Sequence, residues 1–243
     1  METSTRIPVP GTYNFRDVGG LPASTGTVRD GVLFRSDGLY RIGAEGRAML
    51  EQLGIGIVID LRDEQEAARM PDDLDGLDVE VLRLPVFEGS GASQGAAGIS
   101  LEALYDRIVT MHAAVVVSAL REIASAGERA VLVHCTAGKD RTGVATALLL
   151  TAAGAAREAV VADYASSAAN LGGPWAEGMY AMLTQLGLPL TDGLKTLVSG
   201  SPAAEIERAL DWVNTEHGGA AAYLQSGGLT DDELAALRAR LAG

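Results

Sequence analysis

The 243-residue chain has a single cysteine, Cys135, which excludes an internal disulfide, so nothing in it calls for an oxidised fold. Histidine is almost as scarce. His112, His134 and His217 are scattered, and no spacing among them suits a zinc site. Aromatic residues make up only 5% of the chain while alanine is abundant, a balance that favours closely packed helices. Basic residues are outnumbered, 19 Lys and Arg against 32 Asp and Glu, for a formal charge of −13. That balance argues against a general nucleic-acid binder and against an anionic membrane surface as a partner. No apolar run approaches the ~20 residues of a membrane span, so no stable membrane insertion is expected. Met1–Pro10 has no apolar core of signal-peptide length. The plain expectation is a cytoplasmic protein, with export by a route without a cleaved signal left open.

What the chain does have is a hydrophobic share of 47%, ample for a core, in a length that suits one domain with an elaboration. We expect one domain over 1–243, with 1–12 as an N-terminal tail. Its most informative stretch runs from Ala130 to Leu150. Ala130–His134 is a short apolar run of the kind that forms a buried strand. Gly143 to Leu150 is apolar on every side, which suits a helix inside the core. Between them a tight loop begins at Cys135 and ends at Arg141. Backbone amides after the cysteine can curl around one point, and the following helix adds its positive end. Such a loop binds a tetrahedral dianion and favours the thiolate of a cysteine at its floor. The planar fork of Arg141 can grip two oxygens of the bound group. Thr136, Ala137, Gly138, Lys139 and Thr142 complete the expected binding surface, with Thr142 placed to hydrogen-bond the sulfur and ease its departure. No cofactor and no metal are required by this chemistry.

Cys135, five residues, Arg141 and then Thr142 resemble the signature of the cysteine-dependent protein tyrosine phosphatases. The longer form, from His134 through Lys139 and Asp140 to Gly143, is similar to the atypical bacterial tyrosine phosphatases. Three further pieces resemble that group: Asn14 to Gly20, Phe34 to Asp37, and Asp60 to Arg62. The resemblance implies an α/β fold, a tyrosine/dual-specificity phosphatase-like central sheet flanked by helices, with helical C-terminal and lid elements, the lid near 165–205. It implies hydrolysis of phosphate monoesters through a cysteinyl-phosphate: phosphotyrosine, with phosphoserine, phosphothreonine and phosphoinositides to varying degrees. A phosphorylated protein or a phosphoinositide would then be the partner.

The resemblance also assigns roles. Cys135 is the nucleophile, Arg141 the phosphate grip, and Asp140 the acid that protonates the leaving oxygen, with Asp63 and Asp60 as alternatives. His134 braces the loop backbone from below. Arg62 supports the site. Asp63 stands where the group often places a small hydroxyl residue, which puts any family role at that position in doubt. Lys139 either meets a second phosphate on an inositol ring or balances Asp140. Arg16 either forms an ion pair with Asp17 that fixes a loop, or lines the anion pocket. The acids from Asp60 to Glu66 also fit a solvated loop and helix start.

Elsewhere the spacing predicts strands over Gly31–Asp37, Ile55–Ile59 and Val79–Val86, the last at an edge because of Pro85. It predicts a helix over Ala44–Leu53 and a long one over Ser100–Ala126, with a one-residue slip near Val116. The Gly- and Ser-rich stretch Glu88–Gly98 reads as a mobile loop, which could serve as a lid, or as a passive surface connection. Six helices follow Gly154, the last starting with a capping box at Thr230 and Glu233. Two other classes compete. Arsenate reductases of the phosphatase type need a second thiol, and a sulfurtransferase has no call for Arg141–Thr142. A non-catalytic phosphate-binding module would usually lack the cysteine.

Overall fold

Two apolar runs build the middle of a sheet. Ile55–Asp60 and Ala130–His134 are buried at every position and lie side by side in parallel. Alternate side chains of a strand face opposite ways, and here the two faces separate. Ile57, Ile59, Val131 and Val133 join one core, while Val58, Ala130 and Leu132 join a second on the other face. A register shift between Ile55 and Ile57 carries Ile55 to the second core.

The computed structural model describes residues 5–89 and 91–242, so 1–4, 90 and 243 lie outside this account. In chain order the strands are β1 (Arg16–Asp17), β2 (Pro22–Ala23), β3 (Gly26–Thr27), β4 (Leu33–Ser36), β5 (Ile55–Asp60), β6 (Glu80–Arg83) and β7 (Ala130–His134). The five-stranded sheet has the order β1-β4-β7-β5-β6, with only β1 antiparallel, and β2-β3 is a separate hairpin. The helices are α1 (Gly43–Gln52), α2 (Glu64–Arg69), α3 (Gly91–Ala96), α4 (Leu101–Met111), α5 (Ala113–Ser125), α6 (Asp140–Ala153), α7 (Arg157–Asn170), α8 (Pro174–Gln185), α9 (Asp192–Ser199), α10 (Ala203–His217), α11 (Ala220–Ser226) and α12 (Asp231–Leu241). Side chains of α4–α7 and α10–α12 make up the helical side of the first core, and α1 covers the opposite face. The fold is α/β, a central mixed sheet flanked by helices.

Three expectations change. The long helix over Ser100–Ala126 is two helices, α4 and α5, bent by 69°. The slip in apolar spacing has its cause there: His112 leaves helical geometry at φ −120° and ψ 20°, and each half then buries its own stripe. Within Glu88–Gly98 the chain forms α3, and Gly95 of that helix packs beside Leu194 and Leu197 of α9; Ser90 is outside the described residues. The stretch expected as an N-terminal tail is anchored from Arg6 onward. Arg6 bridges to Arg16, the Ile7 amide donates to the Phe15 carbonyl, and Val9 is buried in the second core. In the region expected as a lid, α8 and α9 share a small apolar cluster of their own, built on Leu183, Leu194 and Val198. The capping box at Thr230 and Glu233 forms as its spacing implies. No single described helix is long and apolar enough to cross a membrane.

Candidate active site

Ser36, His134 and Asp60 stand abreast at the carboxyl ends of β4, β7 and β5. That end of a parallel sheet is where open α/β folds place their sites. From His134 the chain turns through Cys135–Lys139 and enters α6 at Asp140. The carbonyls of Cys135 to Gly138 are tied to the scaffold behind them. The Cys135 carbonyl lies 3.3 Å from His134 Nδ1, and the Thr136 carbonyl accepts from the Gly38 amide at 3.1 Å. Asn14 Nδ2 donates to the Ala137 and Gly138 carbonyls at 3.1 and 3.0 Å, and Arg35 Nη2 donates to Gly138 at 2.8 Å. All peptides are trans, so each N–H points opposite to the carbonyl of its own unit. With the carbonyls turned out, the amides of Thr136 to Lys139 turn in. Among the described residues none of these amides has an acceptor. The free amides of the first turn of α6 continue the row and add the positive end of its dipole. The result is a nest for an anion.

Gly138 makes the turn possible. Its φ is +63°, and a Cβ there would lie 2.2 Å from the Ser36 carbonyl oxygen. Both the left-handed conformation and the close approach demand glycine. The brace behind the loop is a buried polar network. Arg16 pairs with Asp163 of α7 at 2.7 Å and donates to Asn14 Oδ1 at 2.6 Å, while Arg35 pairs with the other Asp163 oxygen at 2.6 Å. Burial, helped by Arg35, pulls the Arg16 pKa down to about 10 against the pull of Asp163. The expected Arg16–Asp17 pair is therefore corrected: Asp17 accepts the Gly19 and Gly31 amides, and Arg16 turns inward to Asp163. Arg16 reaches the loop through Asn14 and, by way of Asp163, through Arg35.

Cys135 is 2% exposed, at the start of the loop, and Arg141 is 1% exposed, at its end. Arg141 lies over the Phe87 ring, 4.9 Å from its centroid. Its Nη1 and Nη2 are bound by the two oxygens of Glu66 at 2.5 and 2.9 Å, and Glu66 Oε1 also accepts from the Thr136 hydroxyl at 2.6 Å. Burial works against the guanidinium charge, but Cys135 and Glu66 outweigh it and hold Arg141 protonated above its ordinary range. Glu66 occupies one edge of the planar fork, and a second edge, through Nε, remains for an oxyanion. Residues 7–243 match the profile described as the tyrosine phosphatase family.

The chain belongs to that family.

It is 38% identical over 193 residues to the triple specificity protein phosphatase PtpB of Mycobacterium tuberculosis, covering 65% of this chain and 68% of the relative. It is 31% identical over 218 residues to a tyrosine-protein phosphatase of Nostoc commune, covering 85% of this chain and 73% of that one. A solved structure of P. aeruginosa TpbA in complex with phosphotyrosine aligns at a TM-score of 0.42 and 19% identity, over 85% of this chain and 99% of that one. This chain is accordingly an enzyme, a tyrosine phosphatase.

The remaining residues expected at the phosphatase site fall into place as follows. Arg62 grips both oxygens of Asp60 at 2.9 Å and reaches Asp72 at 2.8 Å. His134 Nε2 stands 3.4 Å from Asp72, an ion-pair distance without hydrogen-bond alignment. Asp60, Asp72 and His134 could in principle converge on a cation, but the positive charge already bound between the two carboxylates is Arg62. Asp63 is the N-cap of α2 and forms a capping box with Glu66. The Thr142 hydroxyl is buried with no hydrogen-bond partner among the described residues. Lys139 Nζ donates to the carbonyls of Thr196, Leu197 and Gly200 at 3.2, 2.9 and 2.7 Å and stands 3.2 Å from Asp140 Oδ1. The balancing of Asp140 is thus realised, together with a clasp on the carboxyl end of α9. The reading of Asp60 and Glu66 as solvated acids is corrected, since both are buried and paired. Glu66 was missed as a site residue. The Asp63-x-x-Glu66 spacing signals a helix start but carries no information about Arg141.

Proposed function

We propose that this phosphatase uses a covalent phosphocysteine, with Cys135 as nucleophile, and that phosphoserine, phosphothreonine and phosphoinositides accompany phosphotyrosine among its substrates. The observation that carries the reading is the row of inward amides between Cys135 and Arg141, without acceptors of their own among the described residues. A phosphate dianion repels nucleophiles. Preorganised donors remove that obstacle, each worth ~2.7–4 kcal/mol in the transition state. The Cys135 sulfur attacks phosphorus, the bond to the leaving oxygen breaks, and Asp140 gives that oxygen its proton. Water then attacks the phosphocysteine, Asp140 takes up the water proton, and the sulfur leaves as thiolate, helped by the unpartnered Thr142 hydroxyl.

Asp140 suits the acid role better than its alternatives. Partial burial of Asp63 favours its proton, but the amides of Gly89 and Glu66 outweigh this and hold its carboxyl below the ordinary range. Its two oxygens accept the Glu66 and Gly89 amides, so neither is free to face a leaving group. Both Asp60 oxygens are committed to Arg62. The breadth of substrate is supported by the triple specificity in the name of the mycobacterial relative. In the present geometry Lys139 does not serve a second phosphate, because its three N–H donors face three carbonyls and a carboxylate. Reductase chemistry through a second protein thiol is unavailable to a chain whose single cysteine is Cys135.

The test is phosphate release from p-nitrophenyl phosphate, phosphopeptides and phosphoinositides with EDTA present. Wild type turns over all three classes, and Cys135→Ser turns over none while still binding vanadate. Wild-type rates in Cys135→Ser, or activity lost to EDTA and restored by a divalent ion, would overturn the proposal.

A further inference from the structure

Two buried tyrosines outside the signature meet the residue assigned as the acid. Tyr105 comes from α4 and Tyr164 from α7, and neither is exposed. Their rings pack edge to face, with centroids 6.0 Å apart at 82°. The Tyr105 hydroxyl donates to Asp140 Oδ1 at 3.0 Å, and the two tyrosine hydroxyls lie 2.5 Å apart. A phenol has one proton to give. Since Tyr105 gives its proton to Asp140, the bond between the tyrosines must run from Tyr164 to Tyr105. The relay therefore has one direction: Tyr164 to Tyr105 to Asp140. Burial, followed by the nearby Asp140 charge, raises the pKa of both phenols. Both remain donors across the working range of a phosphatase.

We infer that Tyr105, fixed by Tyr164, is a positioning residue that aims Asp140 at the leaving oxygen. The inference rests on the reading of Asp140 as the general acid. Asp140 is the first residue of α6, and a short side chain there has free rotation unless something holds it. Tyr105 donates to Oδ1 of this carboxyl, and Lys139 Nζ stands at ion-pair distance from the same oxygen. The proton that is to be delivered then belongs on Oδ2, and the two contacts fix where Oδ2 points. Gly143 makes the arrangement possible. A Cβ at that position would come within 2.9 Å of the Tyr164 ring, so a larger residue would push α7 and its tyrosine away from α6. The two tyrosine hydroxyls bond to each other and to Asp140 Oδ1, not to the amides of the phosphate nest, so their effect should fall on proton delivery and not on anion binding.

The test is the dependence of kcat on leaving-group pKa, measured with a series of aryl and alkyl phosphates for wild type, Tyr105→Phe, Asp140→Asn and the double variant. General acids contribute about 10²–10⁴-fold, and a misplacement of about 1 Å costs on the order of 10²-fold. Tyr105→Phe should therefore lose about 10- to 100-fold on alkyl phosphates and less than about 3-fold on p-nitrophenyl phosphate, with an unchanged inhibition constant for vanadate. In the Asp140→Asn background the same change should add no further slope. Tyr164→Phe, which leaves the Tyr105–Asp140 bond in place, should steepen the slope less. It carries the test if Tyr105→Phe does not fold. An equal loss on every substrate, or a full additional loss in the double variant, would mean that Tyr105 only packs the core and would overturn the inference. An unchanged slope in Asp140→Asn itself would overturn the acid reading and this inference with it, whereas a steep slope there beside a wild-type slope in Tyr105→Phe would overturn this inference alone.

Discussion

Glu66→Ala removes the only carboxylate bound to Arg141 among the described residues, and the structure says what that should do. The pair is nearly dry, with side-chain exposures of 2% for Arg141 and 10% for Glu66. Removing one partner of a buried pair leaves an uncompensated charge, at a cost of about 3–5 kcal/mol. For a chain of this size each kcal/mol lowers Tm by about 2–4 °C, so the melting temperature should fall by roughly 6–20 °C. The Thr136 hydroxyl loses its acceptor as well. Glu66→Gln keeps an acceptor for Arg141 and for the Asp63 amide and should fall about half as far. Catalysis should suffer too. Glu66 holds the guanidinium against the Phe87 ring, and a fork free to tilt should cost kcat on the order of 10²-fold. Phosphate binding should survive, because Arg141 is still present, and phosphate should raise the Tm of Glu66→Ala more than that of wild type by supplying the missing countercharge. Scanning calorimetry with and without phosphate, beside steady-state kinetics, reads all of these. A Glu66→Ala protein that melts within about 2 °C of wild type and keeps its kcat would refute the reasoning.

Arg141→Lys keeps the charge but loses the planar fork, and should lose about 2–3 kcal/mol of transition-state stabilisation, or about 30- to 150-fold in kcat/KM. Steady-state kinetics near wild type would contradict this. Lys139→Met should release the carboxyl end of α9. With about 2 kcal/mol of local stability gone, amide exchange in 192–200 should speed up about 30-fold, and an unchanged exchange pattern would count against the clasp. His134 adds a pH dependence. Burial disfavours its charge, but Asp72 and Asp60 outweigh that and raise its pKa above the ordinary value. A raised folded value means that the charged ring stabilises the fold fully below about pH 6.5 and stops doing so as pH climbs through the folded value. The Tm advantage of wild type over His134→Gln should thus be largest near pH 6 and narrow by pH 9. A gap that is flat or widens with pH would refute it.

Much of the site was legible because its chemistry is local. Ala130–His134 is the strand that the apolar run implies, and the loop and α6 follow within a few residues. The helices after Gly154 are bounded by glycines, prolines and caps that act on their own neighbours. What escaped is what depends on contacts across the fold. Glu66 and Arg141 are 75 residues apart, and Arg16 and Asp163 are 147 apart. A charged residue reads the same in sequence whether it ends in solvent or against a partner. Arg16–Asp17 looks like a pair for that reason, until the sheet turns Arg16 toward α7. Lys139 had a nearby carboxylate that the sequence could suggest, but its three carbonyl partners belong to the end of a helix whose place over the loop no local signal encodes. Tyr105 sits on an apolar stripe and reads as core. Only its hydroxyl, pointed at Asp140, distinguishes it from the leucines beside it.

The central claim is that the phosphoryl group passes through the Cys135 sulfur. Rapid acid quench of wild-type enzyme during turnover of a phosphotyrosyl peptide, followed by digestion and mass spectrometry, tests it most directly. The account predicts a peptide containing Cys135 that is heavier by one phosphoryl group, formed at least as fast as phosphate is released and lost when substrate is exhausted. Steady turnover with no adduct on Cys135, or with the phosphoryl group on another residue, would contradict it.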